Sequence, residues 1–210
     1  MDQNTEHIIR KQVEKTITKL RQNNFGADFF ETKEDLLAYL KEHVAKGSTI
    51  GVGGSMTLFE TGVMDWITGN EDYTFFDRYH TDDKDAVHHQ VFNADVMFTS
   101  SQAITMDGML YNVDGHGSRV APLIYGPNKV YVIVGVNKLV KDLEEAIKRN
   151  ECIAAPANNT RLNTGNPCVE FGECVHCNKE RTICNQFVVT RRSGIKERIH
   201  VLFVNGVYGY

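Results

Sequence analysis

The sequence predicts an α/β fold built on a largely parallel sheet, and three observations predict it. Apolar stretches of strand length alternate along the chain with stretches whose apolar residues recur at helical spacing. Residues 129–135, Lys-Val-Tyr-Val-Ile-Val-Gly, form a dense β-branched run of the kind that parallel sheets bury on both faces. A joint at 48–60 passes from a short apolar run through Gly51, Gly53 and Gly54 to Ser55, a good helix N-cap.

In order, residues 6–24 place Ile8, Ile9, Val13, Ile17 and Leu20 among charged and amide side chains, which gives an amphipathic helix. A second helix over 32–45 begins at a capping box, Thr32-Lys33-Glu34-Asp35, and buries Leu36, Leu37, Leu40 and Val44. Gly47 ends it, and the first strand and the glycine joint come next. The helix after Ser55 carries Met56, Phe59, Val63, Trp66 and Ile67. Residues 73–77 read as a strand and 82–92 as a helix. On that helix His88 and His89 point about 100° apart and so read as surface or packing residues rather than as one metal site.

Residues 95–101 form a buried strand that ends in small polar residues, where ligands of open α/β sheets gather. Asp107-Gly108 between alternating runs marks a hairpin, and Asp114-Gly115 a second turn before a short helix that reaches 124. After the 129–135 strand come a helix over 139–150, a cysteine-rich segment over 152–185, and strands at 186–190 and 198–204. The hairpin and the last two strands are the expected antiparallel exceptions. The whole, 1–210, reads as a single domain with N-terminal helices over 1–46.

With 41% hydrophobic and 24% charged residues the composition is globular. A net charge of −4, with no basic stripe interleaved with aromatics, gives no case for nucleic acid. No apolar run approaches membrane length, and the polar start Met1-Asp2-Gln3 is not a signal peptide, so a cytoplasmic protein with no membrane or nucleic-acid partner is expected.

Two stretches suit a small anionic substrate. Gly53, Gly54, Ser55, Met56 and Thr57 combine close backbone approach with a helix start, although the Lys-Ser/Thr of a P-loop is absent and no nucleotide is specified. The other interpretation is a turn that lets a helix pack closely on the sheet. Gly115, Gly117 and Ser118, leading to Arg119, open the second stretch. Catalytic candidates are Asp107 as nucleophile or base, His116 as acid or base, and Arg119 as the partner of a carboxylate. For Asp107 and His116 the alternatives are ordinary turn chemistry and an exposed turn histidine.

Of five cysteines, four fall in the pattern Cys168-x5-Cys174-x2-Cys177-x6-Cys184. Soft thiolates at that density suit an iron–sulfur cluster, with zinc the alternative and His176 a substitute ligand. Lys179 and Arg181 would offset thiolate charge. Cys152, beside Ile153 and Ala154, reads as a buried small residue.

Several segments together resemble the lactate utilisation (LUD) domain family of LutC/YkgG-like proteins. These are Gly53-Gly54-Ser55-Met56-Thr57, Asp114-Gly115-His116-Gly117-Ser118-Arg119-Val120-Ala121, Val132-Ile133-Val134-Gly135-Val136-Asn137-Lys138, Ala155-Pro156-Ala157-Asn158, Asn166-Pro167-Cys168 and Cys174-Val175-His176-Cys177. The resemblance implies a three-layer α/β/α sandwich similar to the NagB/RpiA/CoA-transferase-like group. It also implies a part in bacterial oxidation of L-lactate to pyruvate beside iron–sulfur partner proteins. Two other functions stay open: a CoA-transferase- or sugar-phosphate-isomerase-like enzyme acting on an anionic small molecule, and a non-catalytic metal-binding assembly subunit, alone or as a homo-oligomer.

Overall fold

The computed structural model describes residues 2–210. In chain order, α1 (Gln3–Gln22), β1 (Gly26–Phe30) and α2 (Lys33–His43) lead to β2 (Thr49–Val52), the short helices α3 (Met56–Glu60) and α4 (Val63–Ile67), and β3 (Thr74–Phe75). Next come α5 (Lys84–Val91), β4 (Val96–Thr99), β5 (Ala103–Thr105), β6 (Leu110–Asp114), α6 (Val120–Ile124) and β7 (Lys129–Gly135). The remainder holds β8 (Leu139–Val140), α7 (Leu143–Arg149), α8 (Ala155–Arg161), α9 (Cys168–Phe171), β9 (Gln186–Thr190) and β10 (Ile199–Val204).

Six strands form a parallel sheet in the order β1-β10-β7-β4-β2-β3. Side chains of a strand alternate between faces, and β7 uses both of its faces for the core. Val130, Val132 and Val134 pack against Val13 and Leu20 of α1, Val91 of α5 and Leu123 of α6. Tyr131 and Ile133 pack on the other side with Leu36 and Leu40 of α2, Leu58 of α3 and Ile67 of α4. Helices thus cover both faces: the parallel α/β sheet is the one the alternation predicts, and the three layers are those the family resemblance implies.

A smaller sheet, β8-β5-β6-β9, stands beside the first. Its β5–β6 hairpin turns at Asp107-Gly108 as expected. Gly108 has φ +85°, and a Cβ there would come within 2.8 Å of the Lys19 backbone. The turn therefore lies directly on α1, where Asn23 Nδ2 donates to the Gly108 carbonyl at 3.0 Å.

Other expectations are corrected. The N-terminal stretch is not helical throughout, because β1 lies between its two helices and pairs with β10. Of the last two strands only β9 is antiparallel, to β6; β10 runs parallel between β1 and β7. The helix after Ser55 breaks at Gly62, whose φ of +79° ends α3 and restarts the chain as α4. The helix expected over 139–150 begins only at Leu143, capped by Asp142, because Leu139 and Val140 pair with β5 instead.

Past Arg149 the helix does not stop. A π-turn, Asn150–Ala154, carries it into α8, where Pro156 lacks the N–H that regular α-helical bonding would need. The buried face of this run holds Ala146, Arg149, Asn150 and Ala154, so Cys152 points outward and is exposed rather than buried.

A cationic cleft at the switch point of the sheet

The chain leaves β2 outward to β3 and returns across it to β4, so the strand order reverses between β2 and β4. Crevices for ligands form at the carboxyl ends of strands at such a reversal. A cleft lies there. Gly54, Ser55 and Met56 come after β2, Ser100, Ser101 and Gln102 after β4, and Lys138 after β7. The π-turn and α8 supply Asn150, Ala154, Ala155, Asn158 and Arg161. Val113, Ile183, Cys184 and Tyr210 complete the walls. The interior space is about 60 Å³, where one water needs roughly 10–15 Å³, so it admits several waters or one small acid.

Lys138, named above only within a segment that carries the family resemblance, is a cleft residue to which sequence reasoning gave no role. It sits at the end of a 3₁₀ turn after β7 and is 2% exposed. Its Nζ donates to Thr57 Oγ1 at 2.8 Å and to Ser100 Oγ at 3.0 Å. The Thr57 hydroxyl in turn donates to the Tyr208 carbonyl at 3.1 Å, which leaves its lone pairs facing the amine. Burial above all, then the positive charges of Arg149 and Arg119, push the Lys138 amine down to about 7, against a smaller opposing pull from Glu60. A signal did exist: a lysine set between the apolar Val136 and Leu139 closely follows the most apolar strand of the chain, at its carboxyl end.

Arg119 also lines the cleft, but its guanidinium is held by the protein. Nη1 donates to the Ser100 carbonyl at 3.0 Å and to Asn112 Oδ1 at 2.6 Å. Nη2 donates to Gln102 Oε1 at 3.1 Å and to the Val113 carbonyl at 2.9 Å. Arg119 therefore braces β4 and β6 under the cleft, and its positive charge, not its N–H groups, reaches a guest. Gly53 has no side chain because Arg119 Cγ would lie 2.6 Å from its Cβ, so its glycine serves packing rather than ligand approach. Arg149 is fixed in the same way, Nε donating to the Asn137 carbonyl at 3.1 Å, and burial lowers it to about 10.

The anion at the second glycine stretch is the chain's own. Asp114 Oδ1 accepts from His116 N and Gly117 N at 3.2 Å each, and Oδ2 accepts from Arg119 N and Val120 N at 3.2 Å each. Gly115, Gly117 and Ser118 shape this loop, and none of them lines the cleft. His116 is exposed on the same loop. Asp107 is exposed in the hairpin turn, accepting from the Thr105 hydroxyl, and lies outside the cleft. Of the first stretch, Gly54, Ser55 and Met56 line the cleft, while Thr57 meets it through Lys138. The Ser55 hydroxyl accepts from Thr57 N at 3.2 Å, so it acts as the N-cap expected of it.

Arg161 differs from Arg119 in being exposed, with Nε and Nη2 both directed at Asn158 Oδ1, at 3.2 and 2.8 Å. Tyr210 lines the cleft with a buried hydroxyl that has no hydrogen-bond partner. α8 was not expected from the sequence, which is why Asn158 and Arg161 were not among the candidates.

Cys184 joins the cleft to the cysteine segment. Its thiol is pushed up to about 11 by burial and then by Cys174, Cys168 and Cys177, so the four sulfurs stand near enough to feel one another's charge. Cys168 is raised for the same reasons, burial first. The buried Tyr111 hydroxyl, 2% exposed as a residue, has no acceptor, and the charges of Glu151, Cys184 and Cys174 act on it. Four clustered thiols, which would repel one another only as thiolates, and an orphaned hydroxyl able to donate to a sulfur fit a thiolate-held cation in their chemistry. The sulfurs are neighbours without a closed ligand geometry: among the described residues no group of three His, Cys, Asp or Glu converges as a metal set. His176, at φ +51°, donates its backbone N–H to Cys174 Sγ at 3.4 Å, while its ring Nε2 lies 3.8 Å from Glu151.

No described helix is long and apolar enough to cross a membrane. No curated protein matches the chain. A crystal structure of a DUF162 family protein from Deinococcus radiodurans is similar in fold, with a TM-score of 0.53 over 95% of this chain and 98% of that one at 15% identity. The LUD domain profile matches residues 13–204, spanning the sheet, the cleft and the cysteine segment, and the chain belongs to the LUD domain family.

Proposed function

We propose that this chain is a lactate-utilisation protein, a component of the oxidation of L-lactate to pyruvate, whose cleft holds a small carboxylic acid. One observation carries the role of the cleft. Lys138, Arg119 and Arg161 line it, Arg149 lies behind it, and no Asp or Glu is among its lining residues. Asp114 Oδ2, 3.7 Å from Arg119 Nε, offsets part of that charge from outside the cleft, and the remainder, led by the exposed Arg161, favours an anion. The pathway is supported by membership of the LUD domain family.

Cys168, Cys174, Cys177 and Cys184 would hold an iron–sulfur cluster, a [4Fe–4S] cluster ahead of zinc, and such a cluster supplies one-electron transfer when bound. Iron–sulfur proteins are the partners this role calls for. A transferase or isomerase relying on Asp107 draws no support, because that carboxylate is engaged in a turn away from the cleft.

The test is anaerobic purification, then iron, sulfide and zinc analysis, with calorimetric titration of L-lactate and pyruvate. Iron with matching sulfide and saturable binding of either acid is the expected result. A colourless zinc protein would remove the electron-transfer role, and the absence of acid binding would remove the cleft assignment.

A further inference from the structure

We propose that the Lys138 amine forms an imine with the carbonyl carbon of a small 2-oxo carboxylic acid held in the cleft. The proposal deepens the small-acid role given to the cleft above and rests on it.

The geometry of Lys138 is that of a nucleophile. Two of its hydrogen-bonding directions are fixed on Thr57 Oγ1 and Ser100 Oγ, both neutral oxygens, and the residue lines the cleft. As a neutral amine, Nζ has two hydrogens for those two hydroxyls and a lone pair left over for a guest. A lysine 2% exposed with hydroxyl partners lacks the paired carboxylate that stabilises a buried ammonium, and its depressed pKa agrees with that.

Competing nucleophiles are poorly placed. No histidine or carboxylate lines the cleft to activate its serines, and the one base in reach, Lys138 Nζ at 3.0 Å from Ser100 Oγ, donates its hydrogen to that oxygen. Cys184 belongs to the four-cysteine set to which the iron–sulfur cluster is assigned above, so it is not free to attack a guest. Arg161, on the wall that α8 supplies, brings the charge for the carboxylate. A 2-oxo acid presents the two groups that these two side chains suit: a carboxylate and, one carbon away, an electrophilic carbonyl.

The step balances without an oxidant. The Nζ lone pair attacks the carbonyl carbon, the N–C bond forms, and the carbonyl oxygen takes up protons. The C–O bond then breaks, water leaves, and the nitrogen keeps its single bond to the Lys138 side chain and gains a double bond to the acid. Ser100 Oγ, which also donates to Thr57 Oγ1 at 3.4 Å, stands within reach of the protons lost by nitrogen.

The experiment incubates the full-length protein with pyruvate as probe, reduces it with borohydride, and reads intact mass and peptide maps, alongside calorimetric titration of L-lactate, which has no carbonyl. The expected result is one reduced pyruvate adduct per chain, mapped to Lys138, suppressed by excess lactate and absent from Lys138→Arg. Mapping on the unsubstituted protein decides the matter even where that variant folds poorly. Binding of both acids with no adduct, or with adducts scattered over surface lysines, overturns the imine and leaves the small-acid role of the cleft standing. Failure of both acids to bind overturns the two together.

Discussion

Lys138 Nζ lies 2.8 Å from Thr57 Oγ1, so a buried amine ties the end of β7 to the first turn of α3. The groups that act on it are Arg149, Arg119 and Glu60, and burial outweighs them all. Its folded pKa is about 7 against 10.5 in the unfolded chain, so between those values the unfolded state binds the extra proton. Stability therefore rises with pH across that window, and the full penalty of the buried charge is felt below it. Lys138→Met should raise unfolding free energy at pH 7, by on the order of 2 kcal/mol, with the advantage shrinking toward pH 10. Urea denaturation of both proteins across the window checks this, and a pH-independent difference would show that Lys138 does not titrate there.

Asp114→Ala removes the acceptor of four backbone N–H groups in one loop. The expected cost is about 2–4 kcal/mol, because those donors lie beside a buried arginine and regain water only in part. Urea unfolding gives the cost, and hydrogen exchange should show protection lost at His116, Gly117, Arg119 and Val120 before the sheet opens.

Asp107→Asn should do little. The side chain is exposed and bonds only within its own turn, so stability should change by less than about 1 kcal/mol. Acid binding measured by calorimetry should be unchanged, and a large loss would restore Asp107 as a functional carboxylate.

Arg161→Gln tests the exposed charge of the cleft. Affinity for L-lactate or pyruvate should fall about tenfold, near 1.4 kcal/mol. Stability should hold within about 0.5 kcal/mol, since Arg161 is exposed and its bonds to Asn158 lie on the surface of α8. Equal affinity in the two proteins would place the carboxylate elsewhere.

Where the sequence carried a periodic signal, the structure agrees with it. β7 was legible because burial on both faces demands an unbroken apolar run, and Thr32 was legible because its cap is local: Asp35 N donates to its hydroxyl at 3.1 Å. β1 was not legible. Gly-Ala-Asp-Phe-Phe has no strand pattern of its own, and pairing with β10 holds it in place. α8 was hidden by Pro156, which reads as a helix stop unless a π-turn precedes it.

The candidate site divides the same way. Gly54, Ser55 and Met56 were found because strand-to-helix joints at carboxyl ends are local features. Arg119 was found for its charge, but its duty was misjudged, since its four acceptors lie on segments that sequence cannot bring together. Lys138 acquires its character only from depth, and depth is a property of the packed fold.

The position of β10 between β1 and β7 bears on how the molecule is made. Gly26 pairs with His200, so the first strand to leave a ribosome waits for almost the last. Until then β1 has no neighbour and β7 presents an open edge of Val130, Val132 and Val134. Such long-range closure is slow and exposes adhesive strand edges meanwhile. Nascent chains stalled before residue 199 should accordingly be bound by chaperones, and emergence of β10 should complete the sheet.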